Sequence, residues 1–327
     1  MKNRFFPVLA LVVILSLLLA ACGGGAAPEP TSAPAPTAAP TEAPAPTEEP
    51  YAYGTADNPI VWVLVPSQDT DAVLSGASGI AAAVEEATGY VIEPVISTDF
   101  TAAVEAMCSG EAQMGALNTF NYIVAKQRGC AEVGLVSMRF GSTFYTGQIV
   151  TRPETGITSL ADLVGTTFCR PDPTSTSGWV LPSIAIKAQG IDPEAEMTIV
   201  DAGGHDGVII SVYNGDCDAG SSFTDARTNV AEAYPDVNEV VTVLTESAPI
   251  PNDTISFDVN MPDDVKAAII DALLALNDSE DGLAQLNQLY SWSGLATTED
   301  SFYDGFRQQL EAAGMCISDA GRISEDC

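Results

Sequence analysis

Basic residues and histidine are scarce in this chain. Its 327 residues include 12 Lys and Arg against 44 Asp and Glu, and a single histidine, His205. Nucleic acids are bound through clusters of Lys and Arg, so this balance argues against a nucleic-acid partner. It also argues against docking of a polybasic surface on an anionic membrane. A single histidine excludes metal sites built from several histidines, and any Ser-His-Asp triad would have to use His205.

Several motifs of enzymes and cofactor sites are also missing. The sequence has no Gly-x-Ser-x-Gly elbow, no Gly-x-x-x-x-Gly-Lys loop, no His-Glu-x-x-His and no dinucleotide fingerprint. It has no Cys-x-x-Cys pair, which excludes zinc ribbons and thioredoxin-type sites. We therefore expect no metal and no cofactor. Because 46% of the residues are hydrophobic, the chain is not an acidic disordered polymer.

The start of the chain has the pattern of an export signal. A basic start is followed by an apolar run over residues 8–19. This run is shorter than the roughly 20 residues that span a bilayer, but it suits a secretory signal. The Leu-Ala-Ala-Cys segment that ends at Cys22 resembles a bacterial lipobox, which predicts removal of residues 1–21 and a lipid on Cys22. The alternative is an ordinary signal peptide followed by a chance cysteine.

Residues 22–54 are rich in proline, alanine and threonine. Proline has no backbone N–H donor and fixes φ, so we expect neither helix nor sheet there. An extended spacer of this kind rises about 3.1 Å per residue. We therefore expect an exported protein anchored by its lipid to the outer face of the cytoplasmic membrane, on the periplasmic or cell-surface side. The lipid would be its only contact with the membrane.

Six cysteines remain after Cys22. An even number in an exported chain predicts disulfides, although six cysteines allow many connectivities. Proximity in the sequence favours Cys108–Cys130, Cys169–Cys217 and Cys316–Cys327.

Apolar runs that alternate with helical patterns predict an α/β fold. Residues 60–65 are a Val-rich run typical of a buried strand, and residues 69–88 have the pattern of a helix ended by Gly89. The alternation continues to about residue 244, and residues 263–327 are predicted to be mostly helical. Parallel sheets covered by helices follow from this pattern. The 273 residues after the spacer (327 − 54) suffice for two lobes.

A hydroxyl-rich turn stands between a predicted strand and a predicted helix. It consists of Ser175, Thr176 and Ser177, followed by Gly178. Hydroxyls and the free N–H groups of a helix start can bind a tetrahedral oxyanion, and glycine allows the backbone to come close to it. The alternative is that Ser175 or Thr176 only caps the following helix.

Residues 168–220 carry three motifs in order: Asp-Pro-x-Ser-Thr-Ser-Gly with a proline at 182, then Gly-His at 204–205, then Gly-Asp-Cys-Asp-Ala-Gly ending at 220. In combination they resemble the phosphate/phosphite/phosphonate-binding family of ABC importers. The resemblance covers residues 55–327. It implies a type 2 periplasmic-binding-protein fold, in which two α/β lobes, each a mixed, mostly parallel sheet with helices, enclose a ligand cleft. Residues 55–147 plus 252–327 would form lobe 1 and residues 148–251 lobe 2.

The resemblance also implies the binding residues. Ser-Thr-Ser and His205 match the positions that hold the oxyanion. Asp225 and Asp253 match acidic positions that meet the ligand's substituent or a P–OH group. The alternatives are a structural histidine and two ordinary surface acids. The expected binding residues are Tyr145, Ser175, Thr176, Ser177, His205, Asp225 and Asp253.

Two aromatic positions of the family fit less simply. Tyr145 matches an aromatic residue at the lobe crossover, with Phe144 as a competing alignment. Leu117 stands where the family has a second tyrosine, with Asn118 beside it. This departure indicates an altered pocket.

The implied function is solute capture for an ABC permease. A monomeric receptor would close by a hinge motion around phosphonate, phosphite or phosphate and deliver it to the permease. The alternatives are a receptor for another small oxyanion or polar organic solute, a structural or interaction module, and a phosphoester-processing enzyme.

Overall fold

The computed structural model describes residues 53–317 and 323–324. The predicted signal peptide at 1–21, the lipidation site Cys22 and the spacer up to residue 52 lie outside these residues. No helix of the described part is long and apolar enough to cross a membrane.

The fold consists of fifteen strands and eleven helices within the described residues. The strands are β1 (Ile60–Leu64), β2 (Ile92–Ile96), β3 (Met114–Leu117), β4 (Glu132–Met138), β5 (Phe144–Tyr145), β6 (Gly147–Thr151), β7 (Thr167–Arg170), β8 (Thr198–Asp201), β9 (Ala219–Phe223), β10 (Thr242–Glu246), β11 (Ile250–Pro251), β12 (Thr254–Phe257), β13 (Gly294–Thr297), β14 (Cys316–Ile317) and β15 (Ile323–Ser324). The helices are α1 (Thr70–Thr88), α2 (Phe100–Ser109), α3 (Thr119–Gln127), α4 (Leu181–Lys187), α5 (Pro193–Glu196), α6 (His205–Asn214), α7 (Arg227–Val230), α8 (Val237–Val240), α9 (Asp263–Ala275), α10 (Glu280–Tyr290) and α11 (Asp304–Ala312).

Two mixed sheets organise these elements. The first has the order β13-β4-β12-β3-β1-β2, and the second has the order β10-β6-β9-β7-β8. We call the first sheet with its helices the first lobe, and the second sheet with its helices the second lobe. The mixed α/β fold expected from the sequence is confirmed.

Parallel pairing holds only for part of each sheet. Strand β1 is parallel to β2 and β3, but β12 is antiparallel to both of its neighbours and β13 is antiparallel to β4. In the second sheet β6 is antiparallel to β9 and β10. Both sheets are therefore mixed, as the family resemblance implies, and they contain more antiparallel pairs than the β–α alternation alone indicates. Residues 263–317 are mostly helical, as predicted, but they also contain β13, a four-residue strand that is too short to show a periodicity of its own.

The chain crosses between the lobes at two adjacent points. Strand β5 leads from the first sheet into the second, and β11 leads back. The two pair antiparallel, with Tyr145 opposite Ile250 and Phe144 opposite Pro251. This short ribbon places Tyr145 at the junction of the lobes.

Helix α1 shows how local sequence sets the ends of an element. The Asp69 carboxylate accepts a hydrogen bond from the Ala72 N–H at 2.8 Å, and Gly89 ends the helix in the left-handed region at φ 79°. The helix packs on α10 so closely that a Cβ at Gly76 would lie 2.7 Å from the Leu289 nitrogen. The predicted helix over 69–88 is thus confirmed.

Two of the three predicted disulfides are confirmed. Cys108–Cys130 lies in the first lobe with a Cα–Cα distance of 4.8 Å, and Cys169–Cys217 lies in the second lobe with 5.9 Å. The third predicted pair involves Cys327, which lies outside the described residues, so that pairing stays a prediction.

Candidate ligand-binding site

A small cavity lies where the two lobes meet. It leaves about 20 Å³ for the centre of a water-sized sphere, which is room for about one water molecule. Its wall consists of Val65, Ser67, Phe100, Ala116, Asn118, Arg139, Tyr145, Ser175, Thr176, Ser177, His205, Phe223, Asp253 and Tyr290.

Six of the seven residues expected to bind the ligand are in this wall: Tyr145, Ser175, Thr176, Ser177, His205 and Asp253. The seventh, Asp225, lines an adjoining groove and has a left-handed backbone at φ 69°. Leu117 is fully buried in β3, whereas its neighbour Asn118 reaches the cavity.

The hydroxyl-rich turn is wider than the regular helix predicted from Ser177 onward. A single π-helical turn over Thr176–Val180 comes first, and α4 follows. The Ser175 hydroxyl oxygen accepts the Gly178 N–H at 3.2 Å, so Ser175 does cap the helix. A Cβ at Gly178 would lie 2.4 Å from Cδ of Pro171, which explains why this turn requires glycine.

Thr176 connects the lobes through its hydroxyl. The hydroxyl donates to the Asn118 side-chain oxygen at 2.9 Å and accepts the Phe120 N–H at 3.0 Å. Since a hydroxyl has one proton to donate, the contact with Asn118 uses the donor that we expected to face the oxyanion.

His205 is buried at the first position of α6. Its Nδ1 lies 2.9 Å from the Ser222 hydroxyl, and its Nε2 lies 3.4 Å from the Ser175 hydroxyl. Its backbone N–H donates across the lobe junction to the Ser67 carbonyl at 2.8 Å. Burial, helped by the nearby charge of Arg139, lowers the pKa of His205 to about 3, so the ring is neutral at physiological pH.

Arg139 is a residue of the cavity wall that the sequence did not indicate. It follows β4 directly, is 6% exposed, and lies with its guanidinium 4.6 Å from the centre of the Phe223 ring. One of its terminal nitrogens is 3.5 Å from a carboxylate oxygen of Asp253. A predicted β4 would have revealed it, because ligands of α/β folds gather beyond the carboxyl ends of strands.

Asp253 and Tyr290 complete the polar wall. Burial raises the pKa of Asp253, and the charge of Arg139 offsets part of that rise. Tyr290 donates its hydroxyl proton to the Val65 carbonyl at 2.6 Å, so this hydroxyl already has an acceptor.

Two buried donors in the wall have no acceptor within the described residues. They are the side-chain nitrogen of Asn118 and Nε of Arg139. Leaving a buried donor unpaired costs about 1–3 kcal/mol, so such donors indicate a ligand that accepts hydrogen bonds. No group of His, Cys, Asp and Glu side chains in residues 53–317 and 323–324 is arranged to hold a metal ion.

Comparison with known families agrees with the motifs. A sequence profile described as "ABC transporter, phosphonate, periplasmic substrate-binding protein" matches residues 62–303. The chain belongs to this family. Membership in a periplasmic substrate-binding family implies an exported protein, and the relatives are binding proteins rather than enzymes.

Two curated relatives of the phosphonate-binding family align with part of the chain. The phosphate-import protein PhnD of Mycolicibacterium smegmatis is 27% identical over 220 residues, which are 64% of this chain and 62% of the relative. The phosphonates-binding periplasmic protein of Escherichia coli is 21% identical over 221 residues, 66% of this chain and 65% of the relative. The chain thus spans slightly less than two thirds of the length of these relatives.

Solved structures of the family share the fold. A binding protein component of an ABC phosphonate transporter from Pseudomonas aeruginosa has a TM-score of 0.72 at 19% identity, over 78% of this chain and 86% of that one. PhnD1 from Prochlorococcus marinus, in complex with methylphosphonate, has a TM-score of 0.68 at 13% identity, over 77% and 97%. These likenesses confirm the two-lobed type 2 fold.

Proposed function

We propose that this protein is the substrate receptor of an ABC importer and that its ligand is a phosphorus oxyanion: a phosphonate, phosphite or phosphate. The observation that carries the proposal is the pair of unpartnered donors on Asn118 and Arg139 beside the hydroxyls of Ser175 and Ser177. A tetrahedral oxyanion presents acceptors in several directions and would satisfy donors that converge from both lobes.

Closure of the lobes is the mechanism we propose for capture. The hydrogen bonds that cross the junction around the cavity include His205 to Ser67, Thr176 to Asn118, the Phe120 N–H to Thr176, and the Phe100 N–H to Asp172 at 3.2 Å. Each of these hydrogen bonds forms only when the lobes are in contact. A bound oxyanion would add further hydrogen bonds to this closed form. Binding energy therefore shifts the population towards the closed form. The permease would recognise that form.

Binding fits the site better than hydrolysis. Of the two serine hydroxyls that contact His205 within the described residues, Ser175 is the one in the cavity wall, and with His205 at 3.4 Å it resembles a nucleophile and its base. A general base works best when its pKa lies near the operating pH, and the pKa of His205 is lowered to about 3. Its Nδ1 faces the Ser222 hydroxyl rather than a carboxylate that would stabilise an imidazolium.

The remaining expectations belong to the same proposal. Cys22 would carry the lipid and residues 22–54 would form the spacer, with the receptor a monomer outside the cytoplasmic membrane. Residues 55–147 plus 252–327 would form one lobe and residues 148–251 the other. The expected ligand contacts, including Asp225 at the adjoining groove, stay predictions.

Thermal unfolding of the purified protein tests the function. Phosphate, phosphite, methylphosphonate, 2-aminoethylphosphonate and sulfate are added one at a time. At 100 times its Kd a ligand stabilises by about 2.7 kcal/mol, a shift of several degrees. Ser175→Ala combined with His205→Ala should abolish the shift, and the exposed control Ser109→Ala should keep it. If no phosphorus oxyanion shifts the transition, the proposal is wrong. Turnover of any of them, followed by phosphorus NMR, would indicate an enzyme.

A further inference from the structure

One positive and one negative charge face each other in the cavity wall. Among its described residues, Arg139 carries the one full positive charge and Asp253 the one carboxylate, since His205 is neutral. The guanidinium and the carboxylate are 3.5 Å apart, and both side chains are largely buried. The wall as a whole is therefore electrically balanced.

The guanidinium of Arg139 is held in place by its surroundings. Its carbon lies 4.6 Å from the centre of the Phe223 ring and 5.8 Å from that of Tyr145. Its backbone N–H and carbonyl both pair with Ser142, each at 2.9 Å. A charged group fixed in this way needs little reorganisation when a ligand arrives.

Arg139 also has donors to spare. Its Nε has no partner among the described residues, and its contact with Asp253 is longer than the 2.7–2.9 Å or so of a strong charge-assisted bond. A planar guanidinium is suited to two parallel bonds with an oxyanion. The group can therefore bind an oxyanion while its charge still balances that of Asp253.

We propose that Arg139 is a specificity-determining residue, which contacts the oxyanion and, by pairing with Asp253, makes the site prefer small phosphorus oxyanions with an uncharged substituent over aminoalkylphosphonates. This proposal rests on the proposed function and narrows its substrate class. An ammonium group needs an unpaired carboxylate, and the carboxylate of this wall is already paired.

The size and surroundings of the cavity support the same preference. The free space, about 20 Å³ for the centre of a water-sized sphere, is close to that of one water molecule, so a longer substituent requires more rearrangement of the wall than a small one. The nearby acid Asp225 lines the adjoining groove, not this wall. The wall itself therefore offers no unpaired carboxylate to a cationic substituent, which would meet Asp225 only by extending out of the cavity into the groove beside Arg139 and Tyr145.

Calorimetric titration of the purified protein tests the preference with two phosphonates. Methylphosphonate and 2-aminoethylphosphonate share the phosphonate group and differ in the ammonium-bearing chain. We expect methylphosphonate to bind at least about 100-fold more tightly. Comparable affinities would overturn the inference and leave the proposed function standing. If neither these nor phosphite or phosphate bind, the proposed function itself fails.

Variants separate the role of Arg139 from a general loss of structure. Arg139→Gln should weaken methylphosphonate binding by about 100-fold and narrow the difference between the two phosphonates. The control Arg307→Gln removes an arginine that pairs with Asp300 outside the cavity, and should leave both affinities unchanged. If Arg139→Gln does not fold, Arg139→Gln combined with Asp253→Asn leaves no unpaired buried carboxylate and should show the same loss. A loss of less than about threefold in the variant that folds would refute the role of Arg139.

Discussion

The carboxylate of Asp172, in the second lobe, accepts a hydrogen bond from the backbone N–H of Phe100, the first residue of α2 in the first lobe, at 3.2 Å. The other carboxylate oxygen accepts from the N–H and the hydroxyl of Thr174, at 2.6 and 2.8 Å. One buried side chain thus holds the segment that leads to Ser175 and also contacts the opposite lobe. The favourable field at a helix start strengthens the contact.

Asp172→Ala should therefore weaken ligand binding, although Asp172 is not in the cavity wall. We expect about a tenfold loss of affinity, because the closed form loses a charge-assisted bond to a helix start. Calorimetry measures the loss, and small-angle scattering measures the fraction of closed molecules. Asp192→Ala is the matched control, since Asp192 caps the short helix α5 away from the junction. Equal effects of the two substitutions would contradict a role in closure.

Gly178→Ala tests the packing of the hydroxyl-rich turn. A methyl group there would meet the ring of Pro171, and such overpacking costs about 1–3 kcal/mol. We expect lower stability in urea and weaker ligand binding, because Ser175 and Ser177 move with the backbone. Gly305→Ala in α11 is the control: no atom lies within 4 Å of the added carbon, and alanine should stabilise the helix by up to about 1 kcal/mol. Unchanged binding in Gly178→Ala would show that the turn tolerates the shift.

His205 should make the stability of the protein fall in mild acid. Its folded pKa of about 3 is below the unfolded value near 6.5, so its stabilising contribution is present above pH 6.5 and is lost as the pH falls towards 3. The free energy of unfolding should therefore be about 2 kcal/mol lower at pH 5 than at pH 7 because of His205. Urea unfolding at both values, compared with His205→Asn, isolates the contribution.

Nuclear magnetic resonance provides an independent check of His205. The chain has a single histidine, so in untagged protein its ring signals need no assignment. We expect no titration between pH 8 and 5. A midpoint near 6.5 would mean that the ring is solvated and would contradict the buried geometry.

The two disulfides should affect function differently. Cys169 lies in β7, the strand that precedes the hydroxyl-rich turn. Cys217 follows α6, the helix that begins with His205. Replacing both by alanine should cost about 4 kcal/mol of stability, from the size of the loop that they close, and should also weaken ligand binding. Replacing Cys108 and Cys130 should lower stability by a similar amount but leave affinity unchanged, since this disulfide joins the carboxyl ends of α2 and α3, whereas the wall residues Phe100 and Asn118 stand at their amino ends. Denaturation curves and calorimetry distinguish the two.

The sequence predicts the local parts of this fold better than the long-range ones. Helix α1 has a cap at each end, and the strand before it is a continuous apolar run, so both are predictable. Strands β12 and β13 have four residues each, and their place in the sheet depends on partners far away in the chain. Both pair antiparallel with β4, more than 100 positions earlier in the chain, and no local pattern encodes that pairing.

The residues of the candidate site also differ in how well the sequence predicts them. Ser175 and His205 belong to contiguous motifs, and the structure brings both to the cavity. Arg139 carries no motif, and its position becomes informative only when β4 is known. For Asp225 the sequence is less informative. Its distance from His205 along the chain predicts a cavity residue, but its left-handed backbone after β9 places it along the adjoining groove.

The insertion of β12 between β3 and β4 constrains the order in which the chain can fold. Thr254 contacts Leu117 across 137 positions, and the strands of the second sheet all lie between β4 and β12. When the chain is synthesised or exported from its amino end, every strand of the second sheet is therefore available before β12, which completes the first sheet. We expect the second lobe to form first and the first lobe to wait for its central strand, so that during export the unfinished lobe is the one exposed to misfolding and proteolysis.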